Sequence, residues 1–400
     1  MDLIGWVIFL VALLFSVMLH ETGHFVMAKK FGMKATRYFV GFGPTIWSTR
    51  RGETEYGIKA LPLGGFVKII GMHSLDDVED PADEPRSFRR QPAWQRIVVL
   101  CAGSFMHFVL AFLLIFGLAL GIGIENDNTT QLGTISSCVA SNVTALDNGT
   151  CTPSDKPSPA KLAGLRIGDQ VKAFDGAPVS SWTQLGNAIR RVRPGSPVAI
   201  TVLRDGKTMT LHTTLAVVKG RSGGYLGIAP AVVFSPANPI GAVQYAGSAF
   251  GQVIVGSAQA AAALPGALPK LFGSAKERAS TPGGQVTSLV GLANDTGQAV
   301  AANVGWQYKV SFVLLLIASL NIFVGILNLL PLLPMDGGHV AAIIWERIRA
   351  WFARRRGRPD PGLVDITKLL PVSFSIFVIL MFFSVALILA DIVNPVNIAG

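Results

Sequence analysis

The sequence predicts a polytopic α-helical membrane protein with about four transmembrane helices, a cytoplasmic-side membrane-associated β-hairpin and an extracytoplasmic β-rich domain. Three observations carry that class. Charged residues form 14% of the chain and apolar residues 50%, and mean hydropathy is +0.48; soluble domains are about 25% charged. Apolar runs at Leu3 to Ala28, Ile97 to Ile124, Val310 to Met335 and Leu369 to Ala390 reach the roughly 20 residues that cross a bilayer core. Lys and Arg gather in two of the connecting loops, which the positive-inside rule places in the cytoplasm.

The organisation follows. A first span occupies residues 1–28, a cytoplasmic loop 29–96, a second span 97–124, the outer β-rich domain 125–229, an outer or interfacial helical segment 230–309, a third span 310–336, a basic amphipathic segment 337–368 and a fourth span 369–391. The net charge of +10 reads as topology and attraction to anionic lipid, with no nucleic acid partner.

The first run opens on Met1-Asp2 without a basic stretch and offers no small-residue cleavage site, so it reads as a retained span rather than a secretion signal. It carries His20-Glu21-Thr22-Gly23-His24. On a helix, H-E-x-x-H sets two imidazoles one turn apart on one face, where they can grip zinc, with a carboxylate beside them. The bland reading is chance occurrence in a helix, and the placement in an apolar run argues against it.

In the first loop, Gly41-Phe42-Gly43-Pro44, the residues from Thr45 to Thr49, a turn at Arg50-Arg51-Gly52 and the return from Glu53 to Lys59 predict a hairpin, followed by Leu61-Pro62-Leu63-Gly64-Gly65-Phe66. The second span holds His107, which reads either as a histidine packed between helices or as a polar contact near the site. Cys101 in the same span reads as packing.

Outside, Val198 to Leu203, the turn Arg204-Asp205-Gly206-Lys207 and a returning strand through Met209 and Leu211 predict a second hairpin. Cys138 and Cys151 flank a polar insert on the side where oxidising chemistry permits a disulfide. The Ala- and Gly-rich stretch at 239–263 tempts one to add a fifth span, but that would put Asp336 across the membrane from His20. An interfacial or lumenal helix is the better reading.

A catalytic zinc takes three protein ligands and leaves one position for water. Asp336 supplies the missing one if the third span returns to the depth of the first. It follows Asn328-Leu329-Leu330-Pro331-Leu332-Leu333-Pro334-Met335, where the prolines break helix. Its alternative role is to cap the next helix. Beyond it, Trp345, Ile348 and Phe352 share a helical face bordered by arginines, which suits an anionic leaflet.

These motifs, in this order, resemble the site-2 protease family of intramembrane zinc metalloproteases, in the bacterial branch with four spans and an extracytoplasmic PDZ domain. The family's third-ligand motif usually reads Leu-Asp-Gly where this chain has Met335-Asp336-Gly337, a volume-conserving change. Its second span normally carries Ala-Gly-Pro and then Asn, where this chain has Ala102-Gly103-Ser104 and His107.

The resemblance implies one Zn2+ per chain on His20, His24 and Asp336, with Glu21 as general base. It implies a β-loop around Gly41, Gly43, Gly64 and Gly65 that offers an edge to an unwound substrate, with Asn328, Pro331 and Pro334 near the substrate backbone. Ser158 to Asp169 and Phe174-Asp175-Gly176 resemble a bacterial PDZ core, and Tyr225, Leu226, Gly227 and Ile228 its carboxylate-binding loop. The implied activity is cleavage of single-span proteins, such as anti-sigma factors or signal-peptide remnants, after a first extracytoplasmic cut. Implied partners are those substrates, membrane lipid, and a PDZ ligand or regulatory extracytoplasmic protein, all at a bacterial plasma or inner membrane. The rival reading is a PDZ membrane scaffold with a structural or vestigial zinc site, against which the intact Glu21 argues.

Overall fold

The computed structural model describes residues 3–72, 80–126, 128–139, 151, 155–218, 223–267, 288–301, 305–364 and 370–393. The chain divides into two compact units, one formed by Met1–Gly121 and Asn238–Gly400, the other by Ile122–Ala237.

In chain order, helix α1 (Leu3–Lys30) leads into two long strands, β1 (Ala35–Arg51) and β2 (Thr54–Ile69), and then into α2 (Ala93–Gly121). The strands do more than form the predicted hairpin. Arg37 to Val40 pair on one side with Glu55 to Ile58 and on the other with Gly65 to Lys68, while Thr45 to Arg51 pair with the outer side of residues 54–59. The hairpin is therefore bent back on itself into a curled sheet of four segments, ordered 65–69, 35–40, 54–59 and 45–51.

Gly41 makes the first corner: its φ is 85°, and a Cβ there would lie 2.6 Å from the Leu61 carbonyl oxygen. Turn residue Glu53 fastens the sheet to the end of α1. It accepts both Arg86 Nη groups at 2.7 and 2.9 Å and Lys29 Nζ at 2.5 Å.

The second unit begins with β3 (Ile124–Asn126) and β4 (Leu132–Ile135), then α3 (Pro159–Leu162), β5 (Gln170–Phe174), β6 (Ala177–Pro178), α4 (Trp182–Arg191), β7 (Pro197–Arg204), β8 (Lys207–Thr214), β9 (Ile228–Pro230) and β10 (Val233–Ser235). Its main sheet runs β6-β5-β7-β8, and the pairs β4-β9 and β10-β3 complete it. The predicted hairpin is present, with Arg204 opposite Lys207 and Asp205 and Gly206 both at positive φ, as a type I′ turn requires.

Alternate residues Val198, Ile200 and Val202 point into a core with Val171, Phe174 and Leu185. Asp169 is buried and is gripped by Arg204, whose Nε and Nη2 donate to its two oxygens at 2.7 Å each. Burial alone would raise this carboxyl; the Arg204 hydrogen bonds outweigh it and hold the group below its ordinary range. Cys138 and Cys151 are joined as a disulfide; most of the insert between them lies outside the described residues.

The first unit resumes with α5 (Pro239–Ala267), α6 (Leu289–Ala301), α7 (Trp306–Leu329), α8 (Asp336–Arg355) and α9 (Leu370–Val393). Among the described residues, four helices are long and apolar enough to cross a membrane: α1, α2, α7 and the Pro371–Val393 part of α9. They correspond to the four runs marked in the sequence.

Helix α5 is not among them, as its hydropathy led one to expect, and it packs closely on two of them. Tyr245, Ala246, Ala249 and Phe250 pack against Ala111 and Ile115 of α2 and Ala318 and Ile322 of α7. Phe250 meets Phe108 edge to face with ring centroids 5.6 Å apart. Its small residues permit this approach, an effect that hydropathy does not register. Helix α6 packs in turn on α1, where Gly5 and Gly297 are so close that a Cβ on Gly5 would lie 2.5 Å from the Gly297 Cα.

Candidate metal centre

The site is built where α1, α2 and the start of α8 meet. Along α1, residues 16, 20, 23 and 24 form one buried stripe, so the spacing that makes a metal pair also turns both imidazoles inward. Helix α2 approaches closely there: a Cβ on Gly23 would lie 2.4 Å from the Ala102 carbonyl oxygen, and one on Gly103 would lie 2.5 Å from both His20 Cε1 and His24 Nε2. The imidazoles rest against α2 in the space where Gly103 has no side chain.

Asp336 arrives as the first residue of α8, after the break at Leu330–Met335. Gly337 and Gly338 are buried against the backbone of that break, where a Cβ on Gly337 would come within 2.3 Å of the Leu329 and Leu330 oxygens. Asp336 Oδ2 lies 3.3 Å from His20 Nε2 and 3.4 Å from His24 Nε2, and the two Nε2 atoms are 3.0 Å apart.

Ligands held about 2.0–2.1 Å from a tetrahedral zinc lie about 3.3 Å from one another. The triangle of donor atoms therefore fits the ion, and it forms a three-ligand set that leaves a position open. His24 Nδ1 donates to the Val99 carbonyl at 2.8 Å, which fixes the tautomer that leaves Nε2 as a ligand.

Glu21 lies beside this group. One of its oxygens, Oε2, accepts the Val67 backbone N–H at 3.0 Å, so the edge segment of the curled sheet runs against the same face of α1. A Cβ on Gly65 would lie 2.3 Å from Met18 Sδ, which keeps that edge close. Thr22 and Tyr38 extend the join through a hydrogen bond of 2.8 Å between their hydroxyls.

Below the metal group, Ser16 of α1, His107 of α2 and Asn321 of α7 form a buried polar triangle. His107 Nδ1 is 2.8 Å from Asn321 Oδ1 and 3.2 Å from Ser16 Oγ; Ser16 Oγ also donates to Asn321 Oδ1. Helix α8 is held from behind by a buried pair, Arg96 Nη2 to Glu346 Oε2 at 2.7 Å.

The remaining sequence candidates are distributed as follows. Gly41, Gly43 and Gly64 occupy positive-φ corners of the curled sheet, and Gly65 abuts α1. Asn328 is half-buried in the last turn of α7 with no side-chain hydrogen bond to the described residues, and Pro331 and Pro334 are exposed in the break that follows.

In the second unit, Leu226 is in the core. Tyr225 forms an isolated bridge with Ala216, and Gly227 adopts φ 87° before Ile228 enters β9. The carbonyls of Leu226 and Gly227 accept from Ala160 and Ser136, while their N–H groups have no acceptor among the described residues. Sequence reasoning named Gly103 only as part of the second-span motif, and it missed Ser16, Asn321 and the Arg96–Glu346 pair. A serine four residues before His20 and an asparagine inside an apolar run were the available signals.

Comparison with known proteins agrees with this geometry. The sequence matches Peptidase family M50 over residues 8–359. It is 38% identical to the zinc metalloprotease Rip1 of Mycolicibacterium smegmatis over 99% of this chain and 98% of that protein. It is 37% identical to the Rip1 of Mycobacterium tuberculosis, with 98% of each covered. The chain belongs to Peptidase family M50, the site-2 protease family, and is a membrane zinc metalloprotease.

Proposed function

We propose that the chain is an intramembrane endopeptidase that hydrolyses peptide bonds within or near the transmembrane segments of single-span proteins. Anti-sigma factors or signal-peptide remnants already cut once outside the membrane are the substrate class. The observation that carries this reading is the convergence of Asp336 on His20 and His24, which lie with Glu21 inside a candidate span.

One zinc per chain is assigned to that triangle; bound there, it would acidify a water to a pKa of about 7 and polarise the scissile carbonyl. Glu21 is the residue that would hold a proton from such a water and pass it to the leaving amine. Val67 N–H keeps one Glu21 oxygen engaged, leaving the other for proton transfer. The peptide must be extended to be cut, because a helix hides its carbonyls in its own hydrogen bonds. Segment 65–69 pairs on one side only among the described residues, and it lies along Glu21, so an unwound strand can add there.

The basic loops orient the active site toward the cytoplasm and the second unit outside. That unit is assigned as a PDZ domain, with the N–H groups of Leu226 and Gly227, which have no acceptor among the described residues, as its carboxylate-binding loop. It would bind a regulatory protein or a substrate terminus.

Glu21→Gln tests the reading in a reconstituted cleavage assay with zinc measured alongside. Cleavage should fall by about 10²–10⁴-fold while zinc is retained. Undiminished cleavage would remove Glu21 from the mechanism.

A further inference from the structure

The two imidazoles of the metal centre are supported unequally. His24 Nδ1 has the Val99 carbonyl; His20 Nδ1 is buried and has no hydrogen-bond partner among the described residues. Yet His20 Nε2 is the atom turned toward His24 and Asp336, so Nδ1 must carry the ring hydrogen whenever Nε2 ligates a metal. A metal-binding histidine normally donates that hydrogen to a carboxylate, carbonyl or water, and a buried donor left without an acceptor is costly.

The ring beside it is His107, 2% exposed, with its centroid 4.9 Å from that of His20 and the planes inclined by 40°. Its tautomer is set by its surroundings. Asn321 Nδ2 donates to the Ile317 carbonyl at 2.8 Å, which identifies Oδ1 as the acceptor facing His107. His107 Nδ1, 2.8 Å from that oxygen, is then the donor, and a neutral ring so arranged keeps its lone pair on Nε2. Nε2 has no hydrogen-bond partner among the described residues. The ring is not one of the ligands: its nitrogens fall outside the group of donor atoms lying within 4.8 Å of one another. A buried donor without an acceptor and an acceptor without a donor thus occupy adjacent rings.

We propose that His107 is a positioning residue of the metal centre, whose Nε2 accepts the Nδ1–H of His20, directly or through one water, in the metal-loaded protein. The Ser16–His107–Asn321 triangle is then the device that presents this lone pair. This rests on the assignment of His20, His24 and Asp336 as zinc ligands.

The test uses the full chain in detergent, with zinc affinity measured by competition against a chelator and the visible spectrum recorded after cobalt substitution. His107→Leu should weaken zinc binding about 10–100-fold and alter the cobalt spectrum. His107→Gln, which returns an acceptor oxygen, should restore both. Asn321→Leu, which leaves the ring but frees its tautomer, should move both in the direction of His107→Leu.

Wild-type affinity and spectrum in His107→Leu would overturn the proposal. So would ¹⁵N shifts in the wild-type zinc protein that place the His107 hydrogen on Nε2, a reading that needs no variant to fold. His24→Ala separates the two levels: zinc binding unchanged in that variant overturns the ligand assignment itself, whereas zinc lost there but unaffected in His107→Leu overturns only the role of His107.

Discussion

Val67 donates its backbone N–H to Glu21 Oε2 at 3.0 Å, and this one bond joins the curled sheet to the carboxylate assigned as base. Because that N–H points away from the neighbouring strand, Val67→Pro removes it without breaking a ladder bond, and proline is tolerated on an edge. A hydrogen bond to a charged group contributes about 1.5–3 kcal/mol. Cleavage in Val67→Pro should therefore fall roughly 10–100-fold with zinc content unchanged. Wild-type kcat/KM would show that the bond does not orient Glu21.

Gly103 leaves the space in which both imidazoles rest. Gly103→Ala puts a methyl group 2.5 Å from His20 Cε1 and His24 Nε2, so the rings must shift away from α2 and the spacing of the donor atoms is disturbed. The variant should lose most of its zinc while keeping its helix content. Metal analysis and circular dichroism on the same sample check this, and full zinc occupancy would contradict it.

The Arg96–Glu346 pair, with side chains only 5% and 10% exposed, ties α8 to α2. Removing one partner of a buried pair costs about 3–5 kcal/mol, whereas replacing both with apolar residues can be neutral. Arg96→Ala should lower the thermal midpoint sharply and weaken zinc retention. The double variant Arg96→Met with Glu346→Leu should recover most of the stability, as read from paired melts.

Glu53 contributes to the acid sensitivity of the first loop. Hydrogen bonds from Arg86, opposed by burial and assisted by Lys29, lower its carboxyl to about 2. A group depressed on folding stabilises the native state above its unfolded pKa of about 4.3. That stabilisation is lost as pH falls from there through the folded value. Protease resistance of the loop should decline between about pH 4.3 and 2, and Glu53→Gln should flatten that decline. An unchanged acid limb in the variant would assign the sensitivity to another group.

The four long helices and the convergence of His20, His24 and Asp336 were legible because each depends on local signals: apolar runs of bilayer length, an i, i+4 histidine pair, and an Asp-Gly after two helix-breaking prolines. The parity of the spans then brought Asp336 to His20, and the donor atoms do converge. The polar triangle was not legible, since Ser16, His107 and Asn321 meet only through the rotation of three separate helices. Nor was the second bend of the hairpin, where Phe42 pairs with Leu61 across a register shift that strand alternation does not encode. The packing of helix α5 was not legible from hydropathy, because Ala246 and Ala249 gain burial through closeness rather than through apolar bulk.

Asp336 opens α8, and Glu346 locks the same helix ten positions later. One residue of slip along a helix is about 1.5 Å, several times the roughly 0.2 Å within which metal–ligand distances are held. On the proposed ligand set, metal occupancy is therefore a gauge of where α8 stands: a helix displaced by a single step no longer closes the triangle. Any event that shifts α8 would register as a change in bound metal before it registered as a change in fold.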